Sequence, residues 1–354
     1  MKKARKIPAV LLAGVLAAAV LAGCASGDPS GSGQSGDSVS ASTAVSQKTI
    51  KFDIGENEEH YLYDGAVAFK EYVEANTDGA IVVDIYPASA LGDDFDVLES
   101  IQLGQVEMNA PSPAVLANFV KEFDLLTFPF LFDTQEIADA VTTGEFGQKL
   151  LSKCSDAGFH GICIGDFGYR HVTNSIKPIE TVDDLSGLKI RTMENSVHLD
   201  TFRALGANPT AMGWSEVFTS LQQGTIDGQE NPFTGIWTAG IYEVQPYISK
   251  TAHVYDWVVF VIGQDFYDDL TAEQQKVVDE AGEIARETMA SLSAQRDAEA
   301  EQKIIESGKT AVNEISSEVR DEMKSLVEPV KEKYAATAGP ELYELLKSEI
   351  AKAG

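Results

Sequence analysis

The chain of 354 residues holds 27 Lys and Arg against 55 Asp and Glu, a formal charge of −28. A field of that sign repels nucleic acid and anionic lipid headgroups, which excludes both as partners. Any anionic small molecule would have to be captured by local cations. The length is sufficient for two domains.

A basic stretch (Lys2, Lys3, Arg5, Lys6) precedes an apolar run, Ala9–Ala19, and then Leu21-Ala-Gly-Cys24. The run is short and ends in small residues, so residues 1–23 read as a signal peptide and not as a membrane span. Leu-Ala-Gly-Cys resembles the lipobox of bacterial lipoproteins, which implies that Cys24 is acylated and becomes the first mature residue. Several acyl chains, at about 0.8 kcal/mol per buried CH₂, make a stable anchor. Removing residues 1–23 leaves 23 cations against 55 acids, a charge of −32. Residues 24–47 are dominated by Ser, Gly, Asp, Pro and Ala and are expected to form a disordered tether, since they have almost nothing to bury. Gly31-Ser-Gly-Gln-Ser-Gly36 matches a dinucleotide fingerprint in letters only, because no strand precedes it and no helix follows.

Beyond the tether the pattern is α/β. Ile50, Phe52 and Ile54 alternate as a strand. Ala66, Phe69 and Val73 have helical spacing up to Asn76-Thr-Asp-Gly79, and Ile81, Val83 and Ile85 form a second strand closed by Pro87. Strand, helix and strand at this spacing make a parallel βαβ unit. A helix from Leu91-Gly-Asp-Asp94 through Leu103, a strand over 106–110 and a buried strand through Gly161-Ile-Cys-Ile-Gly165 follow. Further on come a strand over 187–191, a helix over 197–205, helical residues 214–223 and an extended segment from Ile226. Thr271-Ala-Glu-Gln274 is a capping box. It opens a stretch to Ser307 whose only glycine is Gly282, and which must either bridge two domains or break there. Cys154 and Cys163 could pair in an exported protein or remain two buried thiols.

Enzyme signatures are missing: the sequence contains no G-x-S-x-G, H-E-x-x-H or P-loop. No metal-ligand spacing or cofactor motif is present. The acidic loop Glu56-Asn-Glu-Glu-His60 reads as solvated, and the adjacent acids Asp93 and Asp94 as helix N-terminal chemistry. Arg191 ends a strand in an α/β domain, where ligands bind, and its guanidinium can hold a carboxylate by two parallel hydrogen bonds. Arg170, Asn231 and Trp214 have no such distinction when taken alone.

Longer words then agree in order. Gly206-Ala-Asn-Pro-Thr, Trp214-Ser-Glu-Val-Phe-Thr-Ser-Leu-Gln-Gln-Gly224 and Ile226-Asp-Gly-Gln-Glu-Asn-Pro232 resemble the signature of DctP-type solute-binding proteins of TRAP transporters. Tyr86-Pro-Ala-Ser-Ala-Leu-Gly-Asp-Asp94, Phe128-Pro-Phe-Leu-Phe132 and Asp184-Leu-Ser-Gly-Leu-Lys-Ile-Arg191 add to the match. The resemblance covers about residues 48 to 340. It implies a two-lobed periplasmic-binding-protein fold of discontinuous domains, joined by crossover strands and a long helix spanning both lobes. The expected lobes are 48–168 with 257–296, and 169–256 with 297–354. The lobes would close over an organic acid and deliver it to membrane subunits.

By the same resemblance Arg191 is the main carboxylate ligand, Arg170 a second arginine, Asn231 an amide reaching the carboxylate and Trp214 an enlarged aromatic wall. Ser112 and His60 fall at positions that tune the substrate. The run Ala211-Met-Gly-Trp-Ser-Glu216 lacks the family's proline, which leaves the solute open between a sugar acid and a C4-dicarboxylate. The expectation is a monomeric, lipid-anchored, extracytoplasmic binding protein with no catalytic residues, cofactor or metal. A ligand-sensing lipoprotein for a signalling receptor and a glycan-acid hydrolase are the alternatives.

Overall fold

The computed structural model describes residues 47–354, so the signal peptide, Cys24 and nearly all of the tether lie outside it. β1 (Lys48–Asp53), α1 (Tyr61–Asn76) and β2 (Ile81–Tyr86) form the expected βαβ unit, with β1 and β2 parallel from Lys48↔Ile81 to Asp53↔Tyr86. Ile50 and Phe52 are fully buried, as their alternation requires. α2 (Asp94–Gln102), β3 (Met108–Asn109), α3 (Pro113–Leu116), α4 (Gln135–Thr143) and α5 (Glu145–Ser152) follow. The strand expected over 106–110 shrinks to β3 because Pro111 and Pro113 supply no N–H to extend a ladder.

Two strands are far longer than the sequence suggests. β4 (Phe159–Asn174) and, after β5 (Lys189–Thr192), α6 (Ser196–Ala204), β6 (Asn208–Ala211), α7 (Val217–Gln222), β7 (Gly228–Asn231) and α8 (Phe233–Thr238), β8 (Tyr247–Gly263) pair antiparallel along their whole length. Their register breaks at Gly161/Cys163, Asp166/Gly168 and Arg170/Val172. Such bulges bend the ribbon and re-aim side chains. The chain ends with α9 (Gln264–Asp268), α10 (Ala272–Ser307), β9 (Ala311–Glu314), α11 (Ser317–Ala335) and α12 (Pro340–Ala353). The sheet order is β2-β1-β3-β8-β4-β7-β5-β6, with β9 beside β8. The β4/β8 ribbon thus joins a βαβ half to a second half built on β5, β6 and β7, giving a two-lobed α/β fold.

α10 runs unbroken for 36 residues, about 54 Å at 1.5 Å per residue. Ala281, Ala285 and Met289 pack into the core of β1, β2 and α1, while Ala300 and Ile304 pack into that of α7 and α8. Of the two outcomes expected for this stretch, it bridges. Gly282 is the reason it can pack closely without breaking, because a Cβ there would strike Ile162 of β4. α12, part of the 297–354 stretch expected in the second lobe, packs instead on α4 and α5. Leu342 and Leu346 share a core with Val141 and Leu150. Cys154 and Cys163 are both buried, and among the described residues neither forms a disulfide.

Candidate ligand-binding site

The carboxyl ends of β1 and β3 on one side, and of β5, β6 and β7 on the other, converge on the β4/β8 ribbon and line a cavity open to solvent at one side. Loops beyond the carboxyl ends of strands are where α/β sheets place ligands. Glu56, Asp94 and Ser112 form one wall, Arg191, Trp214 and Asn231 the other, and Arg170, Asp256 and Trp257 the floor.

Arg191 is 3% exposed and makes no ion pair with any described residue. Its Nε and Nη2 donate to the Met212 carbonyl at 2.9 and 2.6 Å, which fixes the guanidinium. Of the five N–H groups of a guanidinium this leaves one on Nη2 and both on Nη1, the pair that grips a carboxylate end-on. The guanidinium carbon lies 5.7 Å from the centre of the Trp214 ring. Burial lowers its pKa to about 10, with Glu230 opposing and Arg170 adding to the shift. A cation held out of water without a counter-ion is a demand for an anion.

Arg170 is different. It is 1% exposed and already neutralised. Nε donates to Glu230 Oε2, Nη2 to the Glu230 carbonyl at 2.6 Å and to its Oε1 at 3.0 Å, and Nη1 to Asp256 Oδ2 at 2.6 Å. Burial works against its charge, but Glu230 and Asp256 outweigh burial and hold the pKa above the ordinary arginine value. Glu230 is likewise held well below the carboxylate range, because Arg170 overcomes its burial. One Nη1 N–H remains for anything above the floor.

Ser112 lines the cavity, caps α3 through Ala114 N–H and donates to Asp256 Oδ1 at 3.1 Å. Asn231 ends β7 opposite His171 and donates to Gln229 Oε1 at 3.2 Å. His60 does not reach the cavity. Its Nδ1 accepts the Leu62 N–H to cap α1, and its ring stacks on Phe167, so capping holds it behind the wall. Burial pushes its pKa down to about 3. The wall position belongs to Glu56, in the loop read as solvated; it is buried, with its carboxyl pushed up to about 7 by that burial. Asp94 is raised to about 7 in the same way, and Asn109 donates to its Oδ1 at 3.3 Å. Asp93 reaches across the mouth, where Ser215 N and Oγ donate to it at 3.0 and 2.7 Å. Gly213 permits this approach, since a Cβ there would collide with the Asp93 carboxylate.

Residues 54–337 match the profile of bacterial extracellular solute-binding proteins, family 7 (DctP), and the chain belongs to that family. These are the extracytoplasmic binding proteins of TRAP transporters. The C4-dicarboxylate-binding periplasmic protein DctP of Rhodobacter capsulatus is 32% identical over 289 residues, covering 81% of this chain and 86% of its own. The sugar acid binding protein DctPAm of Advenella mimigardefordensis, solved with galactonate, superposes with a TM-score of 0.84 at 34% identity, covering 87% of this chain and 99% of that one. A TRAP periplasmic solute-binding protein of Polaromonas sp. JS666, bound to D-erythronate, gives 0.82 at 33%, covering 85% and 99%. Among the described residues no helix is long and apolar enough to cross a membrane.

Proposed function

We propose that this protein captures an organic acid, a sugar acid or a small dicarboxylate, through its carboxylate and hands it to the membrane subunits of a TRAP transporter. The observation that carries the reading is Arg191, a buried and immobilised cation in the cavity wall with no counter-ion among the described residues. Asn231 adds an amide beside the carboxylate, Trp214 an aromatic face and Ser112 a polar edge, while Arg170 fixes the floor and offers one N–H. The relatives that bind a C4-dicarboxylate, galactonate and D-erythronate support an organic acid as the solute. Residues 48–168 with 257–296 move as one lobe and 169–256 with the chain from 297 as the other, α12 remaining docked on the first. Acylated Cys24 holds the monomer at the outer face of the cell membrane.

The test is a thermal-shift panel of the mature protein against sugar acids, dicarboxylates and their neutral amides. A true ligand at 100 times its dissociation constant adds about 2.7 kcal/mol of apparent stability. The acids should shift the transition and the amides should not. A flat panel across all acids refutes the reading.

A further inference from the structure

The two walls of the cavity differ in charge. Arg191 and Asn231 stand on one side, and the acids Glu56 and Asp94 face them from the other. Glu56 is 8% exposed, and its carboxyl receives no hydrogen bond from a described residue. The Asp94 carboxyl receives a long bond from Asn109 and faces the Ser112 backbone N–H, and among the described residues neither acid forms an ion pair. Among the described residues no group of acids, histidines and cysteines could hold a metal ion, so the pair does not read as a cation site. Arg170, in the floor between the walls, keeps one Nη1 N–H that no described residue accepts.

We infer that Glu56 and Asp94 set the solute class: they accept hydrogen bonds from ligand hydroxyls, admit polyhydroxy monocarboxylates and reject dicarboxylates. The inference rests on the organic-acid reading of this cavity and sharpens it. Once one carboxylate lies on Arg191, a four-carbon diacid has its second carboxylate directed at the opposite wall. There it would meet two carboxyl groups that offer it no donor while ionised, and like charges in a water-poor cavity repel strongly. A hydroxyl does the opposite. It donates to an acceptor-only carboxylate and keeps lone pairs for a donor, so a polyol chain satisfies Glu56, Asp94 and the remaining Arg170 N–H together. An ammonium group would satisfy the acids but would leave the Arg170 N–H unpaired, because it can only donate, and would set a second cation beside that guanidinium. A site built to hydrogen-bond hydroxyls discriminates sharply against ligands that lack them, since its buried polar groups are then left unpaired.

The experiment is isothermal titration of the mature protein at pH 8.5, where both acids are ionised, with D-galactonate, succinate and 4-aminobutyrate, on the wild type and on Glu56→Gln and Asp94→Asn. Unfolding curves report whether each variant folds. The wild type should bind galactonate at least tenfold more tightly than succinate. Each variant should lose fivefold or more in galactonate affinity while its affinity for succinate rises or holds. If one variant fails to fold, the other carries the test. Equal wild-type affinities for galactonate and succinate, or a galactonate-to-succinate ratio unchanged in the folded variants, overturn the inference and leave the carboxylate reading standing. Tighter binding of 4-aminobutyrate than of galactonate overturns it in favour of a zwitterion. If none of the three binds and the wider acid panel is also flat, the carboxylate reading itself has failed.

Discussion

Arg191 and Arg170 lie in one cavity and are buried to nearly the same degree, yet their removal should have opposite signatures. Arg191→Ala deletes a cation with no carboxylate partner. Relief of that desolvated charge opposes the loss of the donors to the Met212 carbonyl, itself about 1–3 kcal/mol. Stability without ligand should therefore change by no more than about 1–2 kcal/mol. Ligand affinity, however, loses one member of a buried charge pair, about 2–5 kcal/mol, or about 30-fold to several thousandfold. Arg191→Lys should recover only part of this, because an ammonium lacks the planar fork. Arg170→Ala removes the guanidinium shared by Glu230 and Asp256, both 3% exposed or less, and leaves only the His253 ring, 3.3 Å from Glu230. Breaking such a buried pair costs about 3–5 kcal/mol, a large share of the 5–15 kcal/mol typical of a whole domain. Urea denaturation of each variant, with and without the tightest acid from the panel, separates the two effects. If Arg191→Ala destabilises the ligand-free protein as much as Arg170→Ala does, or binds within threefold of wild type, the assignment of Arg191 as the anion contact is wrong.

Three further outcomes are expected. Asp93→Ala removes the bonds to Ser215 across the cavity mouth, so small-angle scattering at saturating ligand should show a larger radius of gyration than the wild type; identical curves would dismiss this contact as a clasp. Asp53, Glu56 and Asp94 titrate near 7 in the folded protein, above their unfolded values of 3.8 to 4.5, because they are buried. The folded state therefore holds more protons than the unfolded state, and stability falls as pH rises through 7. The buried His60, His171 and His198 are shifted down and contribute mainly below their unfolded value of 6.5. The ligand-free melting temperature should thus drop between pH 6.5 and 8, whereas a constant or rising value contradicts the assignment. Finally, Cys24→Ser should release the protein from the membrane fraction with ligand binding intact, and continued tight association would remove the lipid anchor from the account.

Much of the architecture was legible because it is encoded locally. Alternation at Ile50 and Phe52 marks a strand, and a glycine-poor stretch opened by a capping box marks α10. The extent of β4 and β8 was hidden because polar residues interrupt their apolar runs. Arg170, Asp256 and Ser249 are buried only through partners 60 or more residues away, and no window on the sequence shows those partners together. The same limit governs the site. Arg191 is legible from its place at a strand end and within a family word. That Arg170 is already paired depends on Glu230 and Asp256, which are distant in the chain. In the loop 56–60 the exchange of His60 for Glu56 depends on which side chain caps α1, a local competition that composition does not resolve.

The order in which this chain can fold follows from where its cores draw their residues. The cluster around α2 to α5 begins at Val97 and is completed by Leu342 and Leu346, nearly 250 positions later. The cluster around β1 waits for Met289. A chain that emerges N-terminus first therefore cannot finish either core until its last helices are outside. Contacts so distant in sequence make folding slow and leave apolar surface exposed meanwhile. The consequence is a long interval in which the emerging polypeptide remains incompletely folded, with its apolar strands open to other chains. Fragments cut before α10 should remain unfolded however well their own strands are patterned.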